Sequence, residues 1–87
     1  MKTSRYHYGN LAKHGVTVQE IKECLRRGSV KYLRRVGYRK YKAIAQTLSG
    51  RYLEVMYLDF PEDRFVFHAI DAKPRHFKLF KRRGKRQ

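Results

Sequence analysis

Tyr52-Leu53-Glu54-Val55-Met56-Tyr57-Leu58-Asp59, then Phe60-Pro61-Glu62-Asp63, then Arg64-Phe65-Val66-Phe67-His68-Ala69-Ile70-Asp71: this stretch decides the fold. The two outer runs are rich in β-branched and aromatic residues and alternate with a period of two, as strands with distinct faces do. In the first, Leu53, Val55 and Tyr57 share a face. In the second, alternation sets Phe65, Phe67 and Ala69 on one side and Val66, His68 and Ile70 on the other. Pro61 supplies a fixed φ for the turn between them. Strands joined so tightly pair antiparallel.

Ser49-Gly50 marks another tight turn, so residues 38–48 read as a strand of the same meander. Residues 30–36, bounded by Gly28 and Gly37, make a basic segment that can also be extended. Further upstream, Asn10-Leu11-Ala12-Lys13-His14-Gly15-Val16 runs directly into Thr17-Val18-Gln19-Glu20. A helix ends at His14 and turns on Gly15, the residue type that adopts a left-handed conformation without strain. Thr17-x-x-Glu20 is a capping box, and Val16 and Ile21 occupy the positions of a hydrophobic staple. The helix it opens spans 18–27, with Val18, Ile21, Cys24 and Leu25 as its apolar stripe and Gly28 as its stop.

Tyr6-His7-Tyr8 fits either a short strand or a helix lead-in. Pro74 suits the first turn of a C-terminal helix that carries Phe77 and Phe80 on one face, and 81–87 is a basic tail expected to be mobile. The expected architecture is one α+β domain over 1–87, with its folded core at 6–80. It comprises short N-terminal helices, a three- to four-stranded antiparallel sheet and a C-terminal helix.

Charge narrows the function. Lys and Arg number 22 against 7 Asp and Glu, a formal charge of +15 on 87 residues. No acidic residue lies between Glu23 and Glu54 or after Asp71, so the excess is regional. Such self-repulsion is commonly offset by a polyanionic partner, with nucleic acid ahead of an acidic protein. A membrane fits poorly: no apolar run approaches the roughly 20 residues of a spanning helix, and the first residues lack the apolar core of a signal peptide. Cys24 is the sole cysteine, which rules out an internal disulfide and suits a cytoplasmic protein. Cys24, His7, His14, His68 and His76 do not have the spacing of zinc ligands. Neither a phosphate-cradling glycine loop nor a nucleophile elbow is present, so no metal or cofactor is expected.

The string Asn10-Leu11-x-Lys13-His14-Gly15-Val16, followed by a capped helix, resembles the N-L-x-K-H-G-V block of the BrnT family of toxin–antitoxin ribonuclease toxins. Arg39-x-Tyr41-Lys42-Ala43-Ile44 and Ser49-Gly50-Arg51-Tyr52-Leu53-x-Val55 are similar to that family's central strands. Ile70-Asp71-Ala72-Lys73-Pro74 stands where the family carries I-S-A-R, so Lys73 replaces an arginine and loses its bidentate fork. The family's aromatic-Asp opening strand is shortened here to Tyr6-His7-Tyr8. The resemblance implies a RelE-like fold, RNA cleavage without metal, and neutralisation by a cognate antitoxin protein.

Metal-free cleavage must deprotonate a ribose 2′-OH, stabilise the phosphorane and reprotonate the 5′-oxygen. The candidate catalytic residues are His14, Lys13, His68 and Lys73. Arg39, Tyr41, Arg51 and Arg75 are candidates for holding RNA or its phosphates, and Tyr41 or Tyr57 for stacking a base. Each also has an ordinary alternative: a helix cap for His14, a solvated strand position for His68, a hairpin residue for Arg51. The function expected is a BrnT-like ribonuclease toxin. The alternative is a non-catalytic RNA- or ribosome-binding module on the same scaffold.

Overall fold

The alternating segments pair as their pattern requires, but the sheet is wider than alternation announces. The computed structural model describes residues 3–73. β1 (Thr3–Tyr6), β2 (Val30–Gly37), β3 (Lys40–Gln46), β4 (Tyr52–Asp59) and β5 (Asp63–Asp71) form one sheet in the order β1-β5-β4-β3-β2. The helices α1 (Tyr8–Lys13) and α2 (Val18–Cys24) lie between β1 and β2 in the chain. β2 to β5 form the antiparallel meander, whereas β1 lies parallel to β5, with Thr3 opposite Asp63 and Tyr6 opposite Val66.

The expected α+β class, with its three- to four-stranded antiparallel sheet, is thereby corrected. Strand takes 51% of the described residues against 18% helix, so this is a sheet-dominated domain built on a five-stranded mixed sheet. The physical reason lies at the edges. β1 and β2 each have a neighbour on one side only, so Thr3-Ser4-Arg5 and Lys31, Arg34 and Arg35 can point to solvent without an apolar face. A parallel partner also needs no turn beside it in sequence, so β1 leaves no hairpin signal. The expected C-terminal helix and basic tail, Arg75 included, lie outside the described residues. Among the described residues no helix is long and apolar enough to cross a membrane.

Both helix ends around Gly15 form as read. His14 caps α1, Gly15 takes φ +67°, and the Thr17 Oγ1 accepts from the Glu20 N–H while Glu20 Oε1 accepts from the Thr17 N–H. α2 stops at Cys24 rather than at Arg27. Arg26 leaves the helix because its Nε donates to Ser29 Oγ at 2.9 Å and its carbonyl accepts from the Ser29 N–H, closing a turn into β2. The core holds Leu11, Val16, Ile21 and Cys24 from the helical side against Ala43, Ala45, Leu53, Val55, Tyr57, Val66 and Ala69 of the sheet. Three of those sheet positions are alanine, and small side chains let a helix settle close to the strands. Each fully buried Leu or Ile contributes roughly 1.5–3 kcal/mol.

β5 departs from simple alternation. Met56 pairs with His68 but Tyr57 pairs with Val66, so Phe67 is an extra residue, a β-bulge. The bulge moves Val66 onto the core face with Ala69, both fully buried. The expected grouping of Ala69 with Phe65 and Phe67 is therefore corrected, because period two holds only within an uninterrupted ladder.

Arg51 ties the layers together. Its Nε donates to Asp71 Oδ1 at 2.7 Å, and its Nη1 donates to Glu20 Oε2 at 2.9 Å and to the Gly15 carbonyl at 3.2 Å. One guanidinium thus joins the end of β5, the capping box of α2 and the turn before it. The Thr17 N–H and then Arg51 hold the Glu20 carboxyl below its ordinary value of 4.5, and Arg51 does the same for Asp71. Lowered carboxyl pKa values stabilise the fold above the unfolded-state values, and that stability drains away as the pH falls below them. Arg51→Ala should lower the free energy of unfolding by about 1–2 kcal/mol at neutral pH in urea titrations. The gap between variant and wild type should then narrow as the pH is taken below about 4.5.

Candidate functional site

The block 10–16 acquires a purpose once β5 is seen beside it. β1 ends at Tyr6 and the chain continues as α1 along the flank of β5. Asn10 Nδ2 donates to the carbonyl of the bulge residue Phe67 at 3.2 Å, and the His7 N–H donates to the Val66 carbonyl at 2.8 Å. Leu11 and Val16 plug the core. His14, exposed at the helix end, then meets His68 edge to face, with ring centres 6.3 Å apart. Two histidines distant in sequence are brought together.

His68 has a carboxylate behind it. Its Nε2 lies 3.0 Å from Glu54 Oε2, and the other oxygen of Glu54 lies 3.7 Å from Lys42 Nζ. The Glu54 side chain is 9% exposed, while those of His68 and Lys42 are 30% and 25% exposed. A buried carboxylate requires charged or hydrogen-bonding partners, and Glu54 has them on both sides. The bulge makes this possible. Unbulged pairing beyond Tyr57 and Val66 would set His68 opposite Val55, in the core; instead it stands opposite Met56, on the face of Glu54.

The remaining candidates are distributed. Lys13 is the last residue of α1, exposed and adjacent in sequence to His14. Lys73 is exposed beyond the end of β5. Arg51 sits in its clamp of two carboxylates, which hold it above its ordinary pKa and engage its Nε and Nη1. Arg39 and Tyr41, by contrast, come together. Along with Arg35, Tyr38 and Asp59 they line an open hollow of about 270 Å³ at the β2–β3 hairpin. Tyr41 stacks on Tyr57 at 5.7 Å, and Arg64 covers the Tyr57 ring at 4.7 Å. Burial pushes the Tyr57 phenol up, and with only 7% exposure it has no free face for a base. Arg64 Nε is itself buried and has no hydrogen-bond partner among the described residues.

Sequence reasoning missed Glu54, Lys42, Asn10, Tyr38, Arg35 and Arg64. Glu54 carried one signal: it is the first acid after Glu23, set within an otherwise apolar strand. Nothing in the chain announces Asn10 as the pin of a bulge. Comparison with models of protein families, with curated proteins and with solved structures finds no match. The likeness of the 10–16 block to BrnT toxins therefore rests on its residues alone.

Asn10→Ala removes the hydrogen bond to the bulge, and an exposed neutral bond of this kind is worth about 0.5–1.5 kcal/mol. The expected result is a small loss of stability together with loss of the nuclear Overhauser contacts between the His14 and His68 ring protons.

Proposed function

We propose that this chain is a metal-independent endoribonuclease of the BrnT-like toxin kind, with His14 and His68 as its proton-transfer pair. The single observation that carries the reading is their edge-to-face approach at 6.3 Å, with a buried carboxylate behind one of them. Histidine is the side chain suited to exchanging protons near neutral pH. One imidazole takes the proton of a ribose 2′-OH, whose oxygen attacks phosphorus. The bond from phosphorus to the 5′-oxygen then breaks, and the other imidazole protonates the leaving oxygen. The products are a 2′,3′-cyclic phosphate and a free 5′-OH. Glu54, holding Nε2 of His68, orients that ring so that Nδ1 is the atom left for substrate. Lys13, next to His14 in sequence, is the cation assigned here to offset charge building on the phosphorane.

The chain's charge of +15 supports RNA as the substrate and an acidic surface on the antitoxin that would neutralise it. One observation favours the second reading, an RNA-binding module without catalysis. Glu54 between Lys42 and His68 is also what a structural ion-pair network would be.

Activity separates the two. Purified wild type in chelator should cut a labelled RNA to fragments ending in 2′,3′-cyclic phosphate, and its induction should arrest growth. His14→Gln and His68→Gln should each lose about 10²–10⁴ of the cleavage rate while keeping the wild-type circular dichroism spectrum. Folded wild type that retains RNA in a salt-dependent manner and never cuts it would establish the module instead.

A further inference from the structure

The hollow at the β2–β3 hairpin shares no residue with the histidine pair, and three features set it apart. The first is backbone conformation. Arg39 has φ +56°, the sole positive φ among the described residues other than glycine. An arginine at this angle is strained where glycine would be relaxed, and such strain persists only where the surroundings hold it. Here the Arg39 carbonyl accepts from the Asp59 N–H at 2.7 Å and its Nη1 donates to the Asp59 carbonyl at 3.4 Å. The second is an aromatic ring in water. Tyr38, at the hairpin tip, is 77% exposed. The third is charge on rings: the Arg39 guanidinium lies 5.3 Å from the Tyr38 ring centre and 5.6 Å from that of Phe60. Arg35, Tyr41 and Asp59 complete the walls.

We infer that this hollow is a nucleotide subsite, taking one unpaired base on the face of Tyr38 and the adjoining phosphate on Arg35 and Arg39. An exposed aromatic ring with a guanidinium beside it matches a base next to its phosphate: the ring offers a π-face and the fork two donors for the anion. The base must be unpaired, because a duplex keeps its base faces stacked on one another. The volume of about 270 Å³ falls just under the roughly 300 Å³ where drug-sized sites begin, a size for one base and not for a larger ligand. That the strand is RNA rests on the function proposed above. The strained arginine is explained as well: the left-handed turn aims its guanidinium back over the rings instead of along the strand.

The test measures affinity without cleavage. A fluorescein-labelled single-stranded RNA with 2′-O-methyl riboses lacks the attacking hydroxyl and is titrated by anisotropy at fixed salt. Tyr38→Ala, which removes no charge, should weaken binding by at least about fivefold. Arg39→Gly should weaken it more than Arg27→Ala, a same-charge change at an exposed site off the hollow, yet melt at or above the wild-type temperature because glycine accepts the positive φ. Tyr38→Ala binding like wild type, Arg39→Gly binding no worse than Arg27→Ala, or wild type ignoring the strand would each overturn the subsite. The catalytic reading stands apart. A protein that holds this strand through Tyr38 but cuts no RNA keeps the subsite and loses the nuclease. One that cuts RNA but is indifferent to Tyr38 does the reverse.

Discussion

The hydrogen bond from Asn10 to the bulged Phe67 carbonyl is the contact on which the arrangement of this protein turns. The bulge adds one residue to β5 and so changes which face each later side chain takes. Val66 and Ala69 enter the core together, and His68 leaves it for the face of Glu54. A bulge exposes a carbonyl that the ladder no longer satisfies, and unsatisfied backbone groups need a partner. Asn10 is that partner, and it belongs to the helix that carries His14. One hydrogen bond therefore both completes the irregular strand and fixes the distance between the two imidazoles.

The second organising element is electrostatic. A chain with this excess of cations has few carboxylates to place, and it places them where they tie elements together. Glu20 and Asp71 go to Arg51, Glu54 to Lys42 and His68, and Asp63 to Arg5 on the β1 edge. These pairs join α2 to β5, β3 to β4 and β5, and β1 to β5. On the edge strand β2, Arg35 instead donates its Nε to the carbonyl of Gly37. β2 and its hairpin carry Lys31, Arg34, Arg35 and Arg39 along one edge of the described sheet, a run of cations that a polyanion can approach.

Much of this was legible in the residues, and the limits have physical causes. Gly15 and the Thr17–Glu20 box are local chemistry, complete within a few residues, and they formed as read. β4 kept strict alternation and put Leu53, Val55 and Tyr57 in the core. Alternation failed in β5 because an inserted residue reverses parity without changing composition. Of β1 only Tyr6 fell in a stretch that could be read as a strand, because its pairing partner lies far along the chain and Thr3-Ser4-Arg5 offers no face to detect. His14 and His68 were both visible as candidates, but their meeting was not, since it depends on the bulge. Arg51 read as a phosphate holder or a hairpin residue because nothing in its neighbourhood along the chain reveals Glu20 or Asp71 across the fold.

The parallel pairing of β1 with β5 carries a consequence for the order of biosynthesis. Thr3 waits for Asp63 and Asn10 for Phe67, so this early segment has no place to dock until the last described strand follows it. The meander from β2 to β5 closes through short loops, whereas β1 and α1 must close over most of the chain, the costlier step in loop entropy. His14 and His68 accordingly cannot meet in a nascent or truncated chain. Any chemistry that needs both imidazoles therefore waits until β5 has emerged.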